Sequence, residues 1–187
     1  MKNIIILDIG HANGTGARGQ GQEEHDLATK FTKKLKARLK EKGIKTVVLD
    51  YPTRTNKEDL RLTVKEANAV DAALFGVSIH LDAGGAKARG GHVCYTSAKG
   101  KLIAQQIAPR LAKVMPGRAE TTKDRDDLYI LDNTRIPWVL VELGFITNAH
   151  DITILMDDPD TANDETAPLL DAIAEGIHKA IKELKKS

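Results

Sequence analysis

Three apolar runs in this sequence finish in side chains that bind metals or carry protons. Ile4 to Ile9, broken only by Asp8, leads into Gly10-His11. Val77-Ser78-Ile79 leads into His80, and Val139-Leu140-Val141 leads into Glu142. In an open parallel sheet, ligands sit outside the carboxyl ends of the strands, so these three side chains are expected to converge. Two neutral imidazoles and a carboxylate are a common catalytic zinc set, with a fourth position left for water. Each residue also has an ordinary reading. A lone histidine at a strand end is more often a hydrogen-bonded core residue, and Glu142 alone is equally compatible with an ion pair to Arg135 or an exposed strand end. Gathered at one sheet edge, however, the three favour a metal with a proton carrier beside it. Burial of an unpaired Glu142 carboxylate costs several kcal/mol, a cost that a nearby cation offsets.

A third ligand is expected from the helix that follows His11. Glu23 and Glu24 both fall in its first turn, where the helix dipole also favours carboxylates. The core stripe is Leu27, Phe31, Leu35 and Leu39, at four-residue spacing. Glu24 lies on that stripe and Glu23 shares it less well, so His11, Glu24 and His80 are the expected ligands and Glu142 the proton carrier. Of the other histidines, His25 is expected to be solvated in the first turn. His92, beside Gly91, is expected to approach the site in an indirect or surface role. His150 falls in a polar stretch and His178 on the last helix.

The elements that must position these groups alternate between strand and helix, which implies an α/β fold with a three-layer, mostly parallel sheet. The pattern predicts strands over 3–9, 45–49, 72–79, 91–96 and 138–141, with a further short one over 128–131. Helices are predicted over 23–42, from the Thr55/Glu58 capping box to 69, over 98–114 and over 166–184. Segments 118–127 and 156–165 read as loops. There is no internal repeat or low-complexity linker, and one domain over 1–187 is the economical expectation.

Gly14-Thr15-Gly16-Ala17-Arg18-Gly19 satisfies the spacing of a dinucleotide-binding loop. Its context does not fit: such a loop opens directly from a strand and runs into a helix. Here His11, Ala12 and Asn13 intervene, and Gly21 follows. The glycines are better read as letting the chain swing from His11 to Glu24.

Bulk properties narrow the classes further. The 187 residues carry 28 basic and 26 acidic side chains, a net charge of +2, too balanced to imply a nucleic-acid partner. Cys94 is the single cysteine, so no intrachain disulfide forms. No stretch approaches the roughly 20 apolar residues of a membrane helix. The N-terminal run reads as a first strand and not a signal peptide, so synthesis in the cytoplasm is expected. A monomer is expected as well.

The same residues resemble a known family, the zinc-dependent N-acetylmuramoyl-L-alanine amidases, and the resemblance covers nearly the whole chain. Asp8-Ile9-Gly10-His11 is similar to the family's D-P-G-H opening. Glu24-His25-Asp26-Leu27 is similar to its E-x-D helix start, and Val77-Ser78-Ile79-His80, following Asp71, to its S-I-H strand. Pro137 to Asn148, with Val139-Leu140-Val141-Glu142 and Gly144-Phe145, resembles its long and specific P-x-V-L-V-E-x-G-F-x-x-N block. Asp82, Ala28 and Thr63 depart from the asparagine, asparagine and arginine common in the family. The resemblance implies a phosphorylase/hydrolase-like α/β fold. It also implies zinc on His11, Glu24 and His80, with Glu142 as catalytic acid/base. The substrate implied is peptidoglycan, cut between the muramoyl lactyl group and L-alanine after release to the wall, as in an endolysin or autolysin. The alternative is a metal-binding but non-catalytic module that binds the wall or regulates another enzyme.

Overall fold

The computed structural model describes residues 4–156 and 164–186. Its elements in chain order are β1 (Ile4–Ile9), β2 (Arg18–Gly19), β3 (Gln22–Glu23), α1 (Glu24–Glu41), β4 (Lys45–Leu49), α2 (Asn56–Ala69) and β5 (Ala73–Asp82). They continue with β6 (His92–Tyr95), α3 (Ala98–Val114), β7 (Thr122–Asp124), α4 (Tyr129–Asn133), β8 (Trp138–Phe145), α5 (Ala149–Leu155) and α6 (Ala167–Leu184). Six strands form one sheet in the order β4-β1-β5-β8-β6-β7, while β2 and β3 make a separate small hairpin. From β4 to β8 every pairing is parallel; β6 then runs antiparallel to β8, and β7 parallel to β6.

Helices cover both faces because the central strands are apolar on both. One face carries Ile5, Leu7, Val77, Ile79, Val139 and Val141 against α1, α3 and α6. Leu27, Phe31, Leu35 and Leu39 of α1 are all buried there, as their spacing predicts. The other face carries Ile6, Cys94, Trp138 and Leu140 beneath α2 and α4. The Thr55 hydroxyl accepts from the Glu58 N–H at 3.3 Å and the Glu58 carboxylate accepts from the Thr55 N–H at 3.1 Å. That reciprocal cap fixes the start of α2, whose first residue Asn56 reaches His11.

Four expectations need correction. Residues 128–131 belong to a helical turn, α4, and not to a strand. Leu128, Ile130 and Leu131 pack down on one side, a pattern too short for periodicity to separate the two forms. Segment 118–127 contains the edge strand β7, whose polar residues conceal it because only its backbone pairs with β6. Strand β5 continues past residue 79, and β8 past residue 141, because their ladder extends through His80↔Glu142 to Asp82↔Phe145. His80 and Glu142 therefore lie within strands. Asn3 and most of segment 156–165 lie outside the described residues.

Candidate functional site

Side chains alternate between faces along a strand, and register places four chemical groups on one face. Parallel pairing aligns His80 of β5 with Glu142 of β8, and antiparallel pairing aligns Glu142 with His92 of β6. Asp8 of β1 pairs with Ser78, two residues before His80. Gly10 follows β1, and its N–H donates to the Ile79 carbonyl at 3.0 Å, which prolongs the ladder. A Cβ on Gly10 would lie 2.5 Å from the His80 ring, so glycine is what lets that ring lie across β1.

His11 and Glu24 arrive from outside the sheet. His11 adopts a left-handed backbone, φ 61°, uncommon for a residue with a side chain and often found at functional sites. Glu24 opens α1 and is 2% exposed. Its Oε2 lies 3.4 Å from His11 Nε2, and its Oε1 lies 3.0 Å from His80 Nδ1. The same carboxylate accepts from the Ala17 N–H at 2.8 Å and the Leu81 N–H at 3.0 Å. One ligand atom from each of His11, Glu24 and His80 lies within 4.8 Å of the others. Neighbouring ligand atoms of a tetrahedral zinc are roughly 3.3–3.5 Å apart, given zinc–ligand distances of about 2.0–2.2 Å. The triad fits such an ion.

The electrostatics point the same way. Burial acts to lower the His80 pKa, but the Glu24 hydrogen bond and the charges of Glu142, Glu24 and Asp8 raise it to about 9. Burial acts to raise that of Glu24, and His80 and His11 outweigh it, holding the carboxylate below its usual range. The pocket thus draws positive charge to the point where the three ligands meet. Burial lowers the His11 pKa, which keeps a lone pair for a ligand role. His11 Nδ1 sits 3.2 Å from Asn56 Oδ1, so its N–H donates there and Nε2 faces the triad.

Glu142 borders a cleft of about 230 Å³ also lined by His11, His80, Asn56, Asp59 and Tyr129. Its Oε2 is buried with no hydrogen-bond partner among the described residues, and it makes no ion pair with Arg135. Burial raises its pKa to about 7, with Glu24 and Asp82 reinforcing and His80 and Arg118 opposing. A carboxyl group near neutrality can both take and return a proton.

Among the neighbours, His25 departs from expectation and the others take defined places. Glu23 turns to Arg18, 2.7 Å away, and plays no part in the triad. His25 is buried, not solvated: its Nδ1 lies 2.5 Å from the His11 carbonyl oxygen and its Nε2 3.6 Å from Asp50 Oδ1. It holds the unusual His11 backbone in place, because the first turn of α1 packs against the end of β1. His92 is buried close to the site, and His150 lies 3.5 Å from Arg89. Asn148 caps α5 and ties down the Ala88 carbonyl, a structural task. Asp82 pairs with Arg118, whose guanidinium stacks 4.6 Å from the Phe145 ring centre. Sequence reasoning missed Asn56 and Asp59, which sit in an ordinary capped helix start and carry no local signal. Where the family commonly has arginine, Thr63 donates to Asp8 at 3.2 Å, and Ser78 donates to the same carboxylate at 2.6 Å.

Comparison with known proteins accords with this geometry. The family model described as N-acetylmuramoyl-L-alanine amidase matches residues 5–182. The endolysin of Bacillus phage SPP1 is 32% identical over all of this chain and 69% of its own length. The N-acetylmuramoyl-L-alanine amidase LytC of Bacillus subtilis is 31% identical over 81% of this chain, which spans only 31% of LytC. Among solved structures, the catalytic domain of CwlV from Bacillus (Paenibacillus) polymyxa superimposes with a TM-score of 0.80 at 23% identity, covering 97% of this chain and 99% of that one, which supports the fold. With a family match spanning all but the ends and a triad at the sheet edge, this chain belongs to the N-acetylmuramoyl-L-alanine amidase family.

Proposed function

We propose that His11, Glu24 and His80 hold a zinc ion and that Glu142 moves the proton in hydrolysis of the amide between the muramoyl lactyl group and L-alanine of peptidoglycan. When bound there, zinc supplies Lewis-acid polarisation and a more acidic water. Glu142 accepts one proton from the attacking water at the carboxylate oxygen that faces the triad. It returns that proton to the amide nitrogen as the C–N bond breaks, so the products are a lactyl carboxylic acid, which gives up its proton to water, and a free alanine amine. Asn56 orients His11 for its ligand role, and the Leu81 and Ala17 N–H groups orient Glu24. The site of action in this reading is the wall.

The observation that carries the reading is the orphaned, buried Glu142 oxygen in register with His80, one of three converged ligands. Glu142→Ala is expected to reduce clearing of purified peptidoglycan by about 10²- to 10⁴-fold while elemental analysis still finds zinc. His80→Ala is expected to lose both. Wall clearing that survives Glu142→Ala, or zinc that survives His80→Ala, contradicts the assignment. Mass analysis of the digest is expected to show new stem peptides with an N-terminal alanine.

A further inference from the structure

His92 is 2% exposed and stands directly opposite Glu142 in the antiparallel ladder between β6 and β8. Side chains so placed share a sheet face, with Cβ atoms roughly 4.5–5.5 Å apart. Four buried polar atoms in this neighbourhood lack a hydrogen-bond partner among the described residues: Asp59 Oδ1 in the cleft, Arg118 Nε, and the two on this ladder rung, His92 Nδ1 and Glu142 Oε2. An unsatisfied buried polar group costs about 1–3 kcal/mol, so a facing pair of them calls for a joint use. The ring remains neutral, because burial together with Arg118, Lys123 and Arg125 lowers its pKa to about 3. A neutral imidazole offers one N–H and one lone pair. On the other side of Glu142, His80 turns its Nδ1 toward Glu24 and is committed to the triad.

We propose that His92 is a positioning residue for the Glu142 carboxyl group, its ring N–H at Nδ1 donating to Oε2 so that the other oxygen faces the triad. This rests on Glu142 being the proton carrier. The two atoms are not bonded to each other as the side chains stand, so the contact forms when one of them rotates toward the other across their shared ladder rung. It prevents the carboxyl group from spinning between proton uptake and return, and it satisfies both orphaned atoms. His92 itself neither touches substrate nor binds metal.

The test compares the zinc-loaded wild type with His92→Phe, which keeps the ring and its packing, and His92→Asn, whose amide N–H stands near the position of Nδ1. A soluble muramoyl peptide serves as substrate. For His92→Phe, kcat is expected to fall about 10- to 100-fold, the scale of one hydrogen bond to a charged group, with KM and zinc content unchanged. His92→Asn is expected to recover part of the loss. In ¹⁵N spectra of the wild type, the His92 ring nitrogens are expected to shift on Glu142→Gln. Wild-type kcat in His92→Phe, a change confined to KM, loss of zinc together with kcat, or ring nitrogens indifferent to Glu142→Gln each overturns the proposal. Should His92→Phe fail to fold, His92→Asn and the wild-type spectra still decide. Full activity in Glu142→Ala would instead refute the assignment of Glu142, which separates the two failures.

Discussion

Asp59 shows how strongly the cleft acts on a single carboxyl group. It is 3% exposed, and its Oδ1 has no hydrogen-bond partner among the described residues. Burial, then the charges of Asp8 and Asp50, raise its pKa to about 7. The folded chain therefore holds this proton more tightly than the unfolded chain, whose aspartates titrate near about 3.9. Stability from the neutral form is complete below about pH 4 and is lost as pH rises through about 7. In the metal-free protein, Asp59→Asn is expected to raise Tm at pH 8 by at least roughly 2–4 °C, with little effect at pH 4. Thermal melts at the two pH values check this. An equal effect at both would show that Asp59 is not held neutral. The chain tolerates such a group beside its candidate active site, where unpaired polarity commonly serves function.

At the level of elements, the loop from His11 to α1 is as important as the strands. The Gly14 to Gly19 segment, which satisfies a dinucleotide-loop spacing, instead folds back over the triad. A Cβ on Gly16 would stand 2.9 Å from Glu24 Oε2 and 3.1 Å from His11 Cδ2. Gly16→Val is thus expected to push two ligands apart and weaken zinc binding by at least about 10-fold, the scale seen when ligand support is lost. Chelator competition measures the affinity, and a metal-free melt is expected to stay near wild type. Unchanged affinity would show that the loop does not set ligand spacing. The strongly apolar strands were legible, and so was the core stripe of α1, because burial on one face imposes period. α4 and β7 were not. A five-residue helix shows no period, and an edge strand held by backbone pairing alone leaves no mark on its side chains.

For the whole molecule, the triad joins three separate segments: the end of β1, the start of α1 and the C-terminal end of β5. A cation bound there links the sheet edge to the helix layer that packs on α6. Binding to the folded chain alone stabilises it by about 2.7 kcal/mol when the ligand is at 100 times its Kd. At roughly 2–4 °C per kcal/mol, zinc is expected to raise Tm by about 5–10 °C. Chelator treatment is expected to reverse the gain, and restored zinc to return both stability and wall clearing. A melting temperature indifferent to zinc would contradict a site assembled only by folding.

The chain's residues alone determined its class, its central strands and the identity of the candidate ligands. Apolar runs that lead into His11, His80 and Glu142 point to one shared site, and the core stripe of the following helix selected Glu24. Tertiary structure alone decided where these groups stand. It brought Asn56 under His11, buried His25 against the His11 carbonyl and turned Glu23 away to Arg18. It also set His92 opposite Glu142. The reason is physical: a side chain's type and period are local, whereas its partner depends on strand register and on which helix packs above, and both are settled by contacts between residues far apart in the chain.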